Sequence, residues 1–287
     1  MMALLLVCPS LARAETDPRD YTLALAPDHT NVFVAYARRR TSADSQSFAQ
    51  NISYFRYLHV LKFGDLAFVP VDVILPALDA QVYIPTATGT TTAHGSGIGD
   101  LIYLPTIAYS IKESESSVTY FAFSSYFRVP TGNYDHRRAV NAGSNRWQFD
   151  EQVVVGQRLL NILVLEALGA VSFYTKNDDA IAAGTTTRIE LSQSPTFTGT
   201  VHVSADVTKE LWLGASYYYT ANGEVTASTP TGDRTATEQQ SVQSLRGTVG
   251  IKPVAPLQLL LQYNTDIAAT HGATISRFVG VRFSYRF

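Results

Sequence analysis

The sequence predicts an all-β fold: a transmembrane antiparallel β-barrel of about twelve strands, of the bacterial outer-membrane type. Three observations predict it. The first is alternation. Stepping back by twos from the end gives Phe287, Tyr285, Phe283, Val281, Val279, Arg277 and Ile275, apolar or aromatic apart from Arg277. The residues between them, Arg286, Ser284, Arg282, Gly280, Phe278 and Ser276, are mostly polar or small. A period of two marks a strand with two unlike faces. The second is composition: 16% charged residues, 16 Tyr and 14 Phe, with no apolar run reaching the roughly 18 residues of a spanning helix. A soluble all-β sandwich shares that composition. The third, which separates the two, is the sorting of the connections by length.

Taken in order, residues 1–14 carry an apolar run ending in Ala12-Arg13-Ala14, a signal-peptide cleavage pattern, although the basic start is missing. Cys8, the one cysteine, would leave with that peptide, which excludes disulfides and cysteine chemistry from the mature chain. Residues 15–28 hold Pro18, Pro27 and mixed charge and read as an irregular segment, able to lie inside a barrel. Residues 29–287 form the barrel. Apolar alternation marks strands over residues 30–40, 51–63, 66–75, 96–111, 118–129 and 146–159. It continues over 161–175, 194–207, 210–222, 239–252, 257–266 and 274–287. After every second strand the link is short: 64–65, 112–117, 160, 208–209 and 253–256. The other links are mostly long and polar: 41–50, 76–95, 130–145, 176–193, 223–238 and 267–273. Short turns at one end and long loops at the other is the outer-membrane layout, and it places both termini in the periplasm. A sandwich has no reason to sort its loops this way.

Within the strands, Phe197, Val201, Val203 and Val207 oppose Thr198, Thr200, His202, Ser204 and Asp206. The same split recurs over 120–129, 244–252 and 257–266, while Glu151 falls on an apolar parity. A charge facing lipid is costly near the midplane, so the polar sets face the lumen. Expected lumen-lining residues are Asp100, Arg128, Asp150, Arg158, Glu166, His202, Asp206, Arg246, Asp266 and Arg282. Both signs occur in similar number, which suggests a bracing network rather than a single-sign filter. About twelve strands enclose little free space, so an open porin is not expected.

The stretch from Phe127 to Trp147 includes Pro130-Thr131-Gly132-Asn133-Tyr134-Asp135 and Asn141-Ala142-Gly143-Ser144-Asn145-Arg146-Trp147. These segments resemble the outer-membrane protein family associated with the meta-cleavage pathway of phenol degradation. Ser96 to Asp100, Gly214 to Tyr219 and the terminal Tyr285-Arg286-Phe287 are similar to other parts of it, from about residue 95 to the end. A proline that the family carries after the tryptophan is absent, Asp150-Glu151 standing there instead. The resemblance implies a channel or transporter for hydrophobic or aromatic compounds. On the residues alone, Pro130 ends a strand, Gly132 and Gly143 permit tight loop turns, and Trp147 suits an aromatic girdle.

Other chemistry finds weaker footing. A lipid hydrolase needs a Ser-His pair facing lipid, yet Ser144 and His136 lie in a loop and His202 has lumen parity. Asp178, Asp179, His94 and His271 offer parts of a rim protease. The six His lack ligand spacing, and Gly95 to Gly99 lacks the Lys of a phosphate loop, so no metal or cofactor is expected. A net charge of -2 gives no footprint for nucleic acid. The expected partners are the bilayer, a small hydrophobic solute and lipopolysaccharide, whose phosphates Arg38, Arg39, Arg40, Arg137 and Arg138 would pair. The barrel-insertion machinery is a further partner, reading the strand that ends on Phe287. The function expected is a non-enzymatic channel or transporter; a lipid-acting enzyme and a structural or loop-binding barrel are the alternatives.

Overall fold

The computed structural model describes residues 16–44, 47–86, 89–181, 187–232, 234–271 and 273–287. The signal peptide expected over residues 1–14 lies outside them. A short 3-10 helix, Asp20–Leu25, precedes β1 (Thr30–Ser42), β2 (Phe48–Phe63), β3 (Leu66–Thr86), β4 (Gly89–Ile98), β5 (Leu101–Tyr103) and β6 (Thr106–Ser114). Then come β7 (Ser117–Val129), β8 (Gln148–Leu159), β9 (Leu163–Tyr174), β10 (Asn177–Ile181), β11 (Arg188–Gln193) and β12 (Thr196–Asp206). The chain ends with β13 (Leu211–Asn222), β14 (Val225–Ser228), β15 (Arg234–Ala236), β16 (Gln240–Val254), β17 (Leu257–Ala269) and β18 (Ser276–Arg286).

Twelve antiparallel strands make a closed barrel, the fourth of them assembled from β4, β5 and β6. Alternation builds the wall. Val201, Val203, Phe121, Phe123, Val279 and Val281 point outward and are exposed, whereas Thr200, His202, Ser204 and Ser124 on the alternate parity are buried. Tyr103, Phe127, Phe149 and Phe173 stand opposite one another on neighbouring strands and form an outward aromatic row. Glu151, on the lipid parity, is answered by Ser125 directly opposite, whose hydroxyl donates to it at 2.6 Å. β18 returns to β1, with Val32 opposite Arg286 and Ser42 opposite Ser276, and Asn31 and Phe287 exchange both backbone bonds at 3.0 Å. Closure removes the edges that β1 and β18 would otherwise present; β4, which pairs with β3 alone among the described residues, keeps one.

Three features depart from the sequence expectation. Residues 76–95 are not a loop: β3 runs on to Thr86 and pairs with β4 from Ala77 opposite Ile98 to Thr86 opposite Gly89. Pro76 and Pro85 hid an alternation that persists, with Leu78, Ala80 and Val82 all buried. The fourth strand is interrupted at Gly99-Asp100 and Leu104-Pro105, because Pro70, Pro76 and Pro105 bring no N–H to the ladder. Single bonds bridge the gaps, Gly99 N to Pro76 O at 2.9 Å and Leu104 N to Asp72 O at 2.8 Å. The long links 176–193 and 223–238 are also structured, pairing as a second sheet in the order β10-β11-β14-β15.

The core lies inside the barrel. Residues 16–28 fold back into the lumen at its short-turn end. Tyr21, Ala24 and Ala26 pack there against Val34, Leu58, Val60, Val69, Ala108 and Ala122. The opposite wall, from β12 to β18, buries polar groups, His202, Ser216, Arg246, Gln262 and Arg282, among Trp212, Tyr218, Leu260 and Phe278.

Candidate functional site

Charge anchors the N-terminal segment inside the barrel. Asp17 is fully buried among three guanidiniums, with Arg246 Nη1 at 2.9 Å, Arg38 Nη2 at 3.1 Å and Arg282 Nη1 at 3.3 Å. Gln262 Nε2 donates to the same carboxylate at 2.9 Å. Burial alone would push this carboxyl up, but the three arginines outweigh it and hold it well below the usual carboxylate range. Arg282 also pairs with Asp20. Tyr218 donates its hydroxyl to Thr16 O at 2.9 Å, and Tyr21 donates to Ser124 Oγ at 3.0 Å. Lys62 Nζ caps Ala24 O at 2.5 Å. Aromatic faces take up the remaining cation surface: Arg246 lies 4.4 Å from the Tyr218 ring and 4.8 Å from Phe278.

The sequence-derived lumen residues divide between this segment and the wall. Arg246 and Arg282 hold Asp17, Glu166 accepts from Arg19 N at 2.8 Å, and Asp206 pairs with Arg19 at 2.6 Å. His202 is 1% exposed, its Nδ1 2.7 Å from Ser216 Oγ and its Nε2 3.4 Å from Thr16 Oγ1. Asp150 accepts from Gln148 at 2.8 Å, and Asp266 accepts from Ser244 and Ser276 hydroxyls at 2.5 and 2.7 Å. Arg128 is buried, and Arg158 is partly exposed at the short-turn rim. Five of these ten residues, Glu166, His202, Asp206, Arg246 and Arg282, therefore meet the N-terminal segment, while Asp150 and Asp266 bond within the wall. One wall pair involves residues the sequence reading passed over: Arg56 grips Asp72 with two bonds, at 2.8 and 2.6 Å. Asp17, Arg19, Arg38 and Trp212 were missed as well. The alternation of β1 and β13 is the signal that would have turned Arg38 and Trp212 inward.

Tyr120, Tyr126, Tyr218 and Phe278 also face inward and are buried. Tyr120 donates to Glu166 at 2.8 Å, and Tyr218 is bound to the segment.

Asp100 organises the opposite mouth. It accepts from Gly132 N at 2.9 Å, and from the N and Oγ of Ser144 at 2.8 and 2.6 Å. These bonds fold the stretch from Pro130 to Trp147 inward, and Val140 is buried beside Phe48, Ile52 and Leu78. Gly132 and Gly143 do not serve as left-handed turn residues here. They lie face to face, and a Cβ on Gly132 would meet Gly143 Cα at 2.7 Å. Thr131 Oγ1 accepts from Leu101 N at 3.1 Å, and Asn141 caps Asp135 N at 2.9 Å. Arg137 donates to Asp135 and holds its carboxyl down at about 2. Tyr134, Asn145 and Asn177 link this loop to β10, with Tyr134 donating to Asp179 O at 2.9 Å and Asn145 to Asn177 at 3.0 Å. Arg146 lies over Tyr174 at 4.5 Å, and Trp147 stacks on Phe149 at 6.1 Å on the outer surface.

Ser144 and His136 do not meet: Ser144 binds Asp100, and His136 stands 3.2 Å from Asp179. Of the Arg38-Arg39-Arg40 run only Arg39 points outward, since alternation turns Arg38 to Asp17 and Arg40 to Ser276. The basic surface read into that run is therefore one residue wide. A cavity of about 30 Å³ lies between the 3-10 helix and the interrupted wall, lined in part by Tyr21, Ala24, Val69, Asp72, Leu104 and Tyr126.

A family model described as "Putative MetA-pathway of phenol degradation" matches residues 30–287. No curated protein matches. Among solved structures, the COG4313 outer membrane channel from Pseudomonas putida F1 is 24% identical, with 95% of this chain and all of that one covered and a TM-score of 0.81. The TodX deltaS2S3 mutant monoaromatic hydrocarbon channel is 10% identical, covering 92% of this chain and 91% of that one, with a TM-score of 0.51. At these identities the likeness is one of fold.

Proposed function

Because the chain belongs to the family described as putative MetA-pathway of phenol degradation, we propose that it is an outer-membrane channel for small hydrophobic or aromatic compounds and that it performs no chemistry on them. Its short turns lie in the periplasm and its long loops outside the cell. The observation that carries this reading is the interrupted ladder between β3 and its neighbours, with a partly apolar cavity directly behind it. A hydrophilic solute meets a lumen filled by residues 16–28 and braced by buried charge. An apolar solute entering at the long-loop mouth has another way out: sideways, where Pro70, Pro76 and Pro105 leave the wall thinly bonded, into the membrane.

The outer rim suits lipopolysaccharide, with Arg39 and Arg277 both exposed on the outward face of adjacent strands. The terminal strand, ending on Phe287, is the segment for the insertion machinery to read. The channel reading is tested by reconstituting the protein in liposomes and comparing uptake of a monosaccharide with uptake of toluene. We expect toluene uptake above that of protein-free liposomes and little sugar flux. Rapid sugar flux with no gain for toluene would leave a small general pore, and flux of neither would leave a structural barrel.

A further inference from the structure

The short-turn end of the lumen holds a charge arrangement that residues 16–28 do not neutralise. Three wall strands finish their inward faces there on a cation: Arg158 on β8, Lys252 on β16 and Arg286 on β18. Arg19 brings a fourth. Its Nη1 lies 2.6 Å from Asp206 Oδ1, its Nε donates to Ser204 Oγ at 2.8 Å, and its guanidinium covers the Trp212 ring at 4.6 Å. Arg158 Nη2 stands 4.0 Å from the other oxygen of Asp206. Lys252 is within electrostatic reach of Arg19, Arg158, Arg286 and Asp206. Asp206 is thus one carboxylate among four cations. Glu166, the next acid along, is already engaged by the Tyr120 hydroxyl and by Arg19 N, each at 2.8 Å.

Two buried donors of this cluster, Arg19 Nη2 and Arg158 Nε, have no hydrogen-bond partner among the described residues. Gathered like charges repel, the more so away from bulk water, and a buried N–H without an acceptor is costly. One added anion relieves both. The cluster opens to solvent through Arg158, whose side chain is 39% exposed, and through the exposed Arg286, and a turn of the Arg158 and Arg19 side chains would bring the two buried donors to an anion held there.

We propose that this end of the lumen is a binding vestibule for a small aromatic carboxylate, held by Arg158, Lys252, Arg286 and Arg19 around Asp206. The aromatic part rests on the channel reading; the sign of the charge rests on the side chains alone. A planar carboxylate matches the forked donors of a guanidinium.

The test is equilibrium dialysis of the detergent-solubilised protein against benzoate, benzyl alcohol and inorganic phosphate. Benzoate should bind, and benzyl alcohol, of similar shape but neutral, should bind about tenfold more weakly or worse. The double variant Arg158→Gln/Lys252→Gln should lose benzoate by a similar factor while still migrating as a heat-modifiable barrel. Asp206→Asn, which removes the competing carboxylate, should tighten benzoate. Equal binding of benzoate and benzyl alcohol, or an unchanged affinity in the double variant, would overturn the proposal. Phosphate binding as tightly as benzoate would overturn the aromatic part and leave an inorganic-anion site. The outcome is separable from the channel reading: benzoate bound with no toluene uptake sinks the channel and leaves this site, and the reverse sinks this site alone.

Discussion

Asp17 carries the charge balance of the buried lumen. Arg38, Arg246 and Arg282 all converge on it, and removing one partner of a buried ionic group leaves the others uncompensated at a cost of about 3 kcal/mol or more. Asp17→Asn should therefore loosen residues 16–28 and raise single-channel conductance in planar bilayers, with the barrel still resistant to detergent. The pH dependence follows from the same carboxyl, whose pKa the arginines depress. A depressed carboxylate contributes stability that is fully present above its ordinary value of about 4 and is lost only as pH falls through the lowered one. Conductance should stay low from neutral pH down to about 4 and rise only in stronger acid. An opening between pH 5 and 6 would contradict this. The arginines were partly legible in the sequence, since parity turned Arg246 and Arg282 inward. Their partner was not. Residues 16–28 have no strand period, so nothing local says which side chain reaches which wall.

At the scale of elements, the strands were legible because each must keep one face for lipid. Val201 is 49% exposed on the outward parity of β12, opposite Ala167 and Tyr217. Val201→Arg should destabilise the barrel by about 2–4 kcal/mol in unfolding titrations from liposomes, as a cation near the midplane does. Gln258→Arg, on the inward parity close to the short-turn rim, should cost much less. Equal costs would undo the assignment of faces. Inward positions are not uniformly permissive, however: a Cβ on Gly280 would already lie 3.2 Å from Arg38 Cγ. The long hairpin of β3 and β4 escaped the sequence reading because prolines look like loop signals when only their own neighbourhood is weighed. In the barrel Pro76 has merely lost a donor, and its carbonyl still accepts from Gly99. The sheet of β10, β11, β14 and β15 escaped because β11 pairs with β14, from a loop far along the chain. The motif from Pro130 to Trp147 was visible as a pattern. That Asp100 is what it folds around became visible only with the register.

For the whole molecule, wall and filling are separable. The wall closes through backbone bonds between β1 and β18, which owe nothing to residues 16–28. A chain lacking residues 16–28 should still insert and run as a heat-modifiable barrel, with water solvating Arg38, Arg246 and Arg282 in the emptied lumen. Its conductance should exceed that of Asp17→Asn, and a deletion that fails to conduct would show that the loops alone seal the pore. The place of Asp17 also orders assembly in time. Its partners sit on β1, β16, β17 and β18, the strands on either side of the seam where the two ends of the chain meet. Asp17 and Arg282 are 265 residues apart, and contacts of such separation form late because chain closure must come first. A barrel still open along that seam has no site for the segment. The segment can seat only when the first and last strands have found each other, so a newly made barrel gains its filling in the step that finishes its wall.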